Sequence, residues 1–321
     1  MRLGNKASRS AFHLTGTETM RMLKPIAVAA ATLLAAIAAP SAFAVTLSAS
    51  DILSQFNAVV TGKFTSSSDV EGRLVANEMT GGATFYNKPG SSSSAFAAVN
   101  AITVDASVNG NVNNSGNVNV VGANNGHFSY NGGKAVSTPV FAISDFSTPL
   151  DALQSQLAGL STTVGTSISS SDPNNFTFVE SGTGTNVFNI SASTLEQSRN
   201  LNFSGSASTI IINVTGNYAD TTNFNASAFL NTHVIWNFVD ATSLSFQGWH
   251  GTVLAGDASV TNSSAMEGTL YAANFTGNGE LHNYAFAGTL PVGAVPEPST
   301  YAMLGLGLLG VVVAARKRKS A

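Results

Sequence analysis

Gly251-Thr252-Val253-Leu254-Ala255 recurs as Gly268-Thr269-Leu270-Tyr271-Ala272 seventeen residues on, and Gly288-Thr289-Leu290 opens a third copy twenty residues later. Far upstream, Glu71-Gly72-Arg73-Leu74-Val75-Ala76 echoes Glu267-Gly268-Thr269-Leu270-Tyr271-Ala272. A repeat of about twenty residues suits one coil of a β-solenoid, in which each turn buries its apolar face on the next. The spacing predicts an all-β chain built as a parallel β-solenoid (β-helix), with Val253 and Leu270 at equivalent inward positions. A β-sandwich of similar hairpins is the alternative, because the copies are few.

Outward from the repeat, short strands ended by Gly or Asn fill the chain. Val104 to Val112 and Asn117 to Gly122 alternate apolar and polar residues, as half-buried strands do. Ile210-Ile211-Ile212-Asn213-Val214 is a continuous β-branched run, consistent with a strand covered on both faces. His233 to Phe238 reads as another strand. Two segments look helical. Ser50 caps a short one running to Phe56. Pro149, at a first turn, precedes Leu150, Leu153, Leu157 and Leu160 on one face, with an end near Gly165. A lone helix of this kind packs along the side of the sheet body or caps it. Ser91 to Ser94 and Ser169 to Asn175 read as exposed loops.

Charge is distributed unevenly. Of the 14 Lys and Arg, five precede residue 45 and four form Arg316–Lys319, while only Glu18 and Glu297 of the 17 acids lie outside residues 45–295; that segment therefore carries a net charge of −10. No basic patch for a nucleic acid can be assembled from five cations, Lys63, Arg73, Lys88, Lys134 and Arg199, scattered through it. There is no cysteine, which removes thiol catalysis, disulfides and thiolate metal sites together.

The candidates for chemistry are sparse. His127, His233, His250 and His282 lack the spacing that puts two metal ligands on one face. Glu280 and His282 share a strand face, which fits a hydrogen-bonded structural pair. Asp69 and Glu71 also share a face, but the calcium loop D-x-[DN]-x-[DN]-G is missing. No cofactor or metal is expected. A lyase would need clustered acids beside Lys or Arg to stabilise an enolate, and the cations are dispersed. Thr183-Gly184-Thr185 and Thr221-Thr222 do not recur at a rung spacing, which argues against a flat Thr ladder for ice. Trp249, Tyr271 or Tyr284, if exposed, would stack on sugar rings.

The ends are addresses. Met20 to Lys24 is a positive n-region, Ile26 to Ala39 an apolar h-region, and Ala42-Phe43-Ala44 a small-x-small cleavage site ahead of Val45. Residues 1–19 read as a long n-region or an upstream start chosen in error. At the other end Pro296-Glu297-Pro298 leads into an apolar run, Tyr301 to Ala315, closed by Arg316-Lys317-Arg318-Lys319. Its fifteen residues reach only about 22 Å as a helix, short of a ~30 Å hydrocarbon core, which suits transient insertion in the inner membrane. The cations stay cytoplasmic and leave the body outside.

This tail resembles the PEP-CTERM sorting signal, which implies recognition by an exosortase after export by the Sec machinery in a Gram-negative bacterium. Phe56 to Gly62, Asp69 to Arg73, Trp236-Asn237-Phe238, Gly251 to Ala255, Glu280 to Asn283 and Phe286 to Gly288 resemble the choice-of-anchor A domain. That resemblance implies an exported surface domain and brings no catalytic residues. The expected organisation is a signal segment over 1–44, one β domain over 45–291, and a linker with sorting tail over 292–321. The expected role is structural or adhesive in a biofilm or exopolysaccharide matrix, through a polysaccharide or extracellular protein ligand; the alternative is a polysaccharide hydrolase or lyase. Intact-mass analysis of the final product should find a chain that begins at Val45 and lacks Arg316–Lys319.

Overall fold

Most strands among the described residues pair in parallel ladders. The computed structural model describes residues 47–291 apart from 173, 221 and 225, with backbone alone at 170, 171 and 223. Its main sheet runs Thr185–Ser191, Thr209–Thr215, Val234–Phe238, Thr252–Asn262, Leu270–Gly277, Ala58–Ser66, Leu74–Gly81, Val99–Val104, Val118–Val120, Ala135–Val136, every neighbouring pair parallel. Shorter parallel strands, among them Trp249–His250, Met266–Glu267 and Leu281–His282, supply a further face. This is a β-solenoid, and the sandwich is ruled out because coils stack in register instead of pairing as hairpins.

The repeat does what its spacing predicted. Val253 pairs with Leu270, and Leu270 with Ala58, which pairs with Leu74; all four point into the solenoid core. Gly251 and Gly268 hold φ of +97° and +148°, and a Cβ on Gly268 would stand 2.4 Å from the Gly251 carbonyl oxygen. Only glycine admits both the turn and the stacking distance. Register shifts in three neighbouring pairings, after Val60 and after Ala255, because Ala58–Ser66 and Thr252–Asn262 carry extra residues at Thr61-Gly62 and Gly256-Asp257, where the long strands pass from one face of the coil to the next.

The order of the sheet is not the order of the chain. Ala58–Ser66 lies between the last long strand, Leu270–Gly277, and Leu74–Gly81, so the first coil closes on the last. The third repeat copy is not a coil: residues 283–291 cross the outside of the sheet, where Phe286 is buried and donates its N–H to the Leu53 carbonyl.

Two cores result. One fills the solenoid. The other lies between the sheet's outer face and two helices, α1 (Ala49–Gln55) and α2 (Ser144–Ala158). Val59, Val75, Val187, Ile211, Ile235, Leu254 and Tyr271 face Phe146, Leu150, Leu153 and Leu157 there. This explains why Thr209–Thr215 is apolar on both faces.

Several expectations are corrected in detail. Ser48, not Ser50, caps α1, in a reciprocal box with Asp51. Helix α2 begins at Ser144, five residues before Pro149, and ends at Ala158; the Asp145 carboxylate accepts the Ala142 N–H at its start. Val104 and Val112 belong to different strands, Val99–Val104 and Asn109–Val112, because the chain turns a corner at 105–108. Ser167–Asp172 is a strand, antiparallel to Asn175–Val179, where a loop was expected. His233 ends a short helix, Ala228–His233, ahead of the strand Val234–Phe238.

Helix α2 is tied to the stack rung by rung. Tyr271 donates to Asp151 Oδ1 (2.5 Å), and Gly256 N–H to Gln154 Oε1 (3.0 Å). Asn237 donates to the Gln154 carbonyl (3.1 Å), Asn213 to that of Leu157 (2.8 Å), and Asn189 to that of Leu160 (3.3 Å). The same asparagines bond each other, Asn237 to Asn213 at 2.8 Å and Asn213 to Asn189 at 2.9 Å. Asn213→Ala would take a donor from the buried Leu157 carbonyl and an acceptor from the buried Asn237 amide and should lower stability by about 2 kcal/mol or more, whereas Asn109→Ala, exposed on the solenoid surface, should change it by less than about 0.5 kcal/mol; thermal or urea unfolding of the two variants checks the contrast.

Candidate functional site

Three outward surfaces have organised polar chemistry. The first lies past the bend of the long strands, where side chains alternate in and out. Register places Ser245, Thr261, Thr276, Thr65 and Thr80 in one column over five consecutive rungs. Beside it run Ser243, Ser259 and Asn274, then the paired Lys63 and Glu78, which bond at 3.1 Å. The inward neighbours Leu244, Val260, Phe275, Phe64 and Met79 are buried and hold this grid rigid. No Thr repeat at 183–185 or 221–222 was needed. The signal lay in four strands that each pass from an apolar residue to Thr: Phe64-Thr65, Met79-Thr80, Val260-Thr261 and Phe275-Thr276.

The second surface is a strip of alternating acids and imidazoles. His250, Glu267 and His282 stack on successive rungs, and Glu71 follows where Val70 bridges Leu281. His282 sits between two carboxylates, Nδ1 2.8 Å from Glu267 and Nε2 2.7 Å from Glu280. Asn231 joins His250 Nδ1 (2.9 Å) to Glu267 Oε2 (3.2 Å). Glu71 accepts the Asn283 N–H at 2.8 Å and faces Lys88 at 3.7 Å, while Asn87 donates to Asp69 at 2.6 Å. Burial works against a proton on His282, but its hydrogen bonds to Glu267 and Glu280, with the charges of Glu267 and Glu71, outweigh it, so its pKa is raised. Burial wins at His250, whose pKa is lowered despite Glu267. The Glu280–His282 pair is thus structural, as its strand spacing suggested, and Glu267 completes it from the preceding rung.

The third surface is a groove of about 550 Å³ between α2 and the corner of the coils. Asp151 and Ser155 line it from the helix, Thr61 and Asp257 from the corner. Burial, with the hydrogen bond to Asp151, pushes the Tyr271 phenol far above its ordinary value, so it stays a donor.

Other candidates resolve plainly. Trp249 and Tyr271 are core residues, while Tyr284 is half-buried under Lys88, whose Nζ stands 4.7 Å from the ring centroid. His127 is exposed on an edge strand, and His233 stacks on Phe229. Among the described residues no group of three or more His, Asp or Glu is placed to hold a metal. None of their helices is long and apolar enough to cross a membrane. Ala42, Ala44, Val45, Pro296, Glu297, Pro298, Arg316, Lys317, Arg318 and Lys319, with the apolar run between them, lie outside the described residues.

Residues 49–283 match the family model described as "Putative Ice-binding-like adhesive domain", and residues 294–319 match the PEP-CTERM protein-sorting motif. Among solved structures, an ice-binding protein from the Antarctic ascomycete Antarctomyces psychrotrophicus aligns at 14% identity over 72% of this chain and 95% of that one, with a TM-score of 0.30, too low to carry an argument. None of the curated proteins compared with the chain matches it.

The raised pKa of His282 has a stability consequence. Its contribution is complete below the unfolded value of about 6.5 and is lost as pH rises through the higher folded value. Wild type should therefore melt well above His282→Gln near pH 6, and the gap should close by pH 9; scanning calorimetry across that range checks it.

Proposed function

Because the chain belongs to the ice-binding-like adhesive domain family and carries a PEP-CTERM sorting motif, we propose that it is a non-enzymatic adhesive protein of the cell surface or biofilm matrix. The motif marks it as an exported surface protein of a Gram-negative bacterium, processed by an exosortase. In this reading residues 45–291 act as one domain of the choice-of-anchor A kind. The Sec machinery exports the chain after Ala44. The apolar run enters the inner membrane transiently, and Pro296, Glu297, Pro298 and the Arg316–Lys319 end are what the exosortase reads.

The observation that carries the adhesive reading is the grid of hydroxyls and amides fixed by register on the strands past their bend. Such a rigid surface meets a hydroxyl-rich polymer through many weak contacts with little ordering cost. Against a lyase or hydrolase, Lys63 and Lys88 are paired with Glu78 and Glu71, and Arg73 donates to the Ser92 carbonyl. These cations are held apart from one another by structural partners. A second reading, contact with ice, is favoured by the Thr column alone; loss of recrystallisation inhibition in Thr276→Lys would support it.

Deleting residues 295–321 should leave the melting temperature unchanged, because the described fold closes by Pro291, whose carbonyl accepts from Gln156 at 3.0 Å. The truncated protein should accumulate in the periplasm, and the cells should lose matrix retention and attachment as a full gene deletion does. Surface delivery of the truncated chain would overturn the sorting reading. Unchanged attachment in the full deletion would overturn the adhesive one.

A further inference from the structure

The groove beside α2 is longer than one hollow. A second of about 310 Å³ shares Ala158 and Val239 with the first and continues past them to Ser191 and Thr215. Together they follow the coil corners from the strand Ala58–Ser66 to Thr185–Ser191, six rungs in sheet order. At about 4.8 Å per rung the groove runs roughly 24 Å along the solenoid axis.

Its chemistry narrows the occupant. Asp151 accepts from Tyr271 through Oδ1, and no other described side chain is bonded to Asp151 or Asp257, so both carboxylates have acceptor capacity to spare. Ser155, Thr61 and Thr215 add hydroxyls that donate and accept, while the Ser191 hydroxyl is taken up in capping the short helix Ala192–Leu195. No Lys or Arg lines either hollow. An anionic polymer would meet two carboxylates and no counter-charge there. A lone ion is too small, and the oxygens are strung along the groove instead of gathered. A peptide strand needs open backbone groups, yet the five rungs from Ala58–Ser66 to Thr209–Thr215 are paired on both sides. A helical partner needs an apolar row along the whole groove, whereas the apolar side chains here, Ala158, Val239 and Ile190, gather toward one end and leave the Asp151–Asp257 end polar.

We propose that this groove seats one extended, uncharged polysaccharide chain, lying parallel to the solenoid axis with its hydroxyls bonded to Asp257, Asp151 and the hydroxyl side chains. The inference deepens the adhesive reading and rests on it: the groove would select the polymer, and the neighbouring hydroxyl grid would add contact.

Affinity electrophoresis of the mature protein through gels containing hydroxyethyl cellulose, dextran or polygalacturonate tests this. At least one neutral polymer should retard the wild type, and polygalacturonate should not. Ser155→Trp, on an exposed helix position, should fill the groove and weaken retardation at least about tenfold with an unchanged melting temperature. Asp257→Asn should weaken it about threefold or more, Thr276→Trp on the hydroxyl grid should weaken it less than Ser155→Trp does, and Asn109→Trp, exposed and outside both surfaces, should leave it within about twofold. Full retardation of a normally melting Ser155→Trp protein would overturn the groove. If Thr276→Trp lost retardation instead, the contact would lie on the grid and the adhesive reading would survive. Retardation of the wild type by polygalacturonate alone, or by no polymer, would also overturn the groove, whereas the adhesive reading stands or falls on attachment of the gene-deletion strain.

Discussion

The fit between a helix pitch and a rung spacing underlies much of this molecule. One turn of α-helix advances about 5.4 Å, and one coil of parallel strands about 4.8 Å. A helix laid along the stack therefore meets a new rung with nearly every turn. Helix α2 uses that match, from Asp151 on Tyr271 to the Leu160 carbonyl on Asn189. A carbonyl oxygen has two lone pairs. Here Asn237, Asn213 and Asn189 donate from three adjacent strands to the carbonyls of Gln154, Leu157 and Leu160, while each bonds the next. The ladder fixes where the helix lies, and so where the second core and the groove lie.

A second constraint is the placement of the first strand. Ala58–Ser66 sits in the middle of the sheet, between Leu270–Gly277 and Leu74–Gly81. The central rung cannot gain both neighbours until the last coil has been made and exported. Such non-local pairing carries a large loop-closure cost and makes for slow folding. It also composes the polar surfaces from remote segments, Thr65 beside Thr276 and Glu71 beside His282.

The surfaces share a character that suits the exported side of a membrane. Hydroxyls and amides dominate them, acids are spread or paired with imidazoles, and the cations Lys63 and Lys88 are spent on Glu78 and Glu71. A ligand on such a surface would be held by number and regularity of contacts more than by any single strong group, which is the physical sense of the adhesive role proposed above. The aromatic residues that might have gripped a sugar are instead used inside, where Trp236 and Trp249 pack with ring centroids 4.8 Å apart.

By itself the sequence determined an all-β chain and pointed to the solenoid, because the Gly-Thr-apolar repeat encodes both the turn and the inward column of a coil; the stacking of coils in register excluded the sandwich. It determined the C-terminal sorting motif and the deficit of basic charge over residues 45–295, since these depend on composition and order along the chain alone. It also placed Glu280 and His282 on one strand face, a consequence of the two-residue period. Only the tertiary structure decided that Glu267 and Glu71 join that pair, that four Thr residues form a column, and that Tyr271 is a buried donor to Asp151 and not a sugar platform. The departure of residues 283–291 from the coil was likewise settled by packing. The reason is common to all of them. Each depends on which coil stacks on which, and the insertion of the first coil against the last is a long-range contact that no local pattern in the chain records.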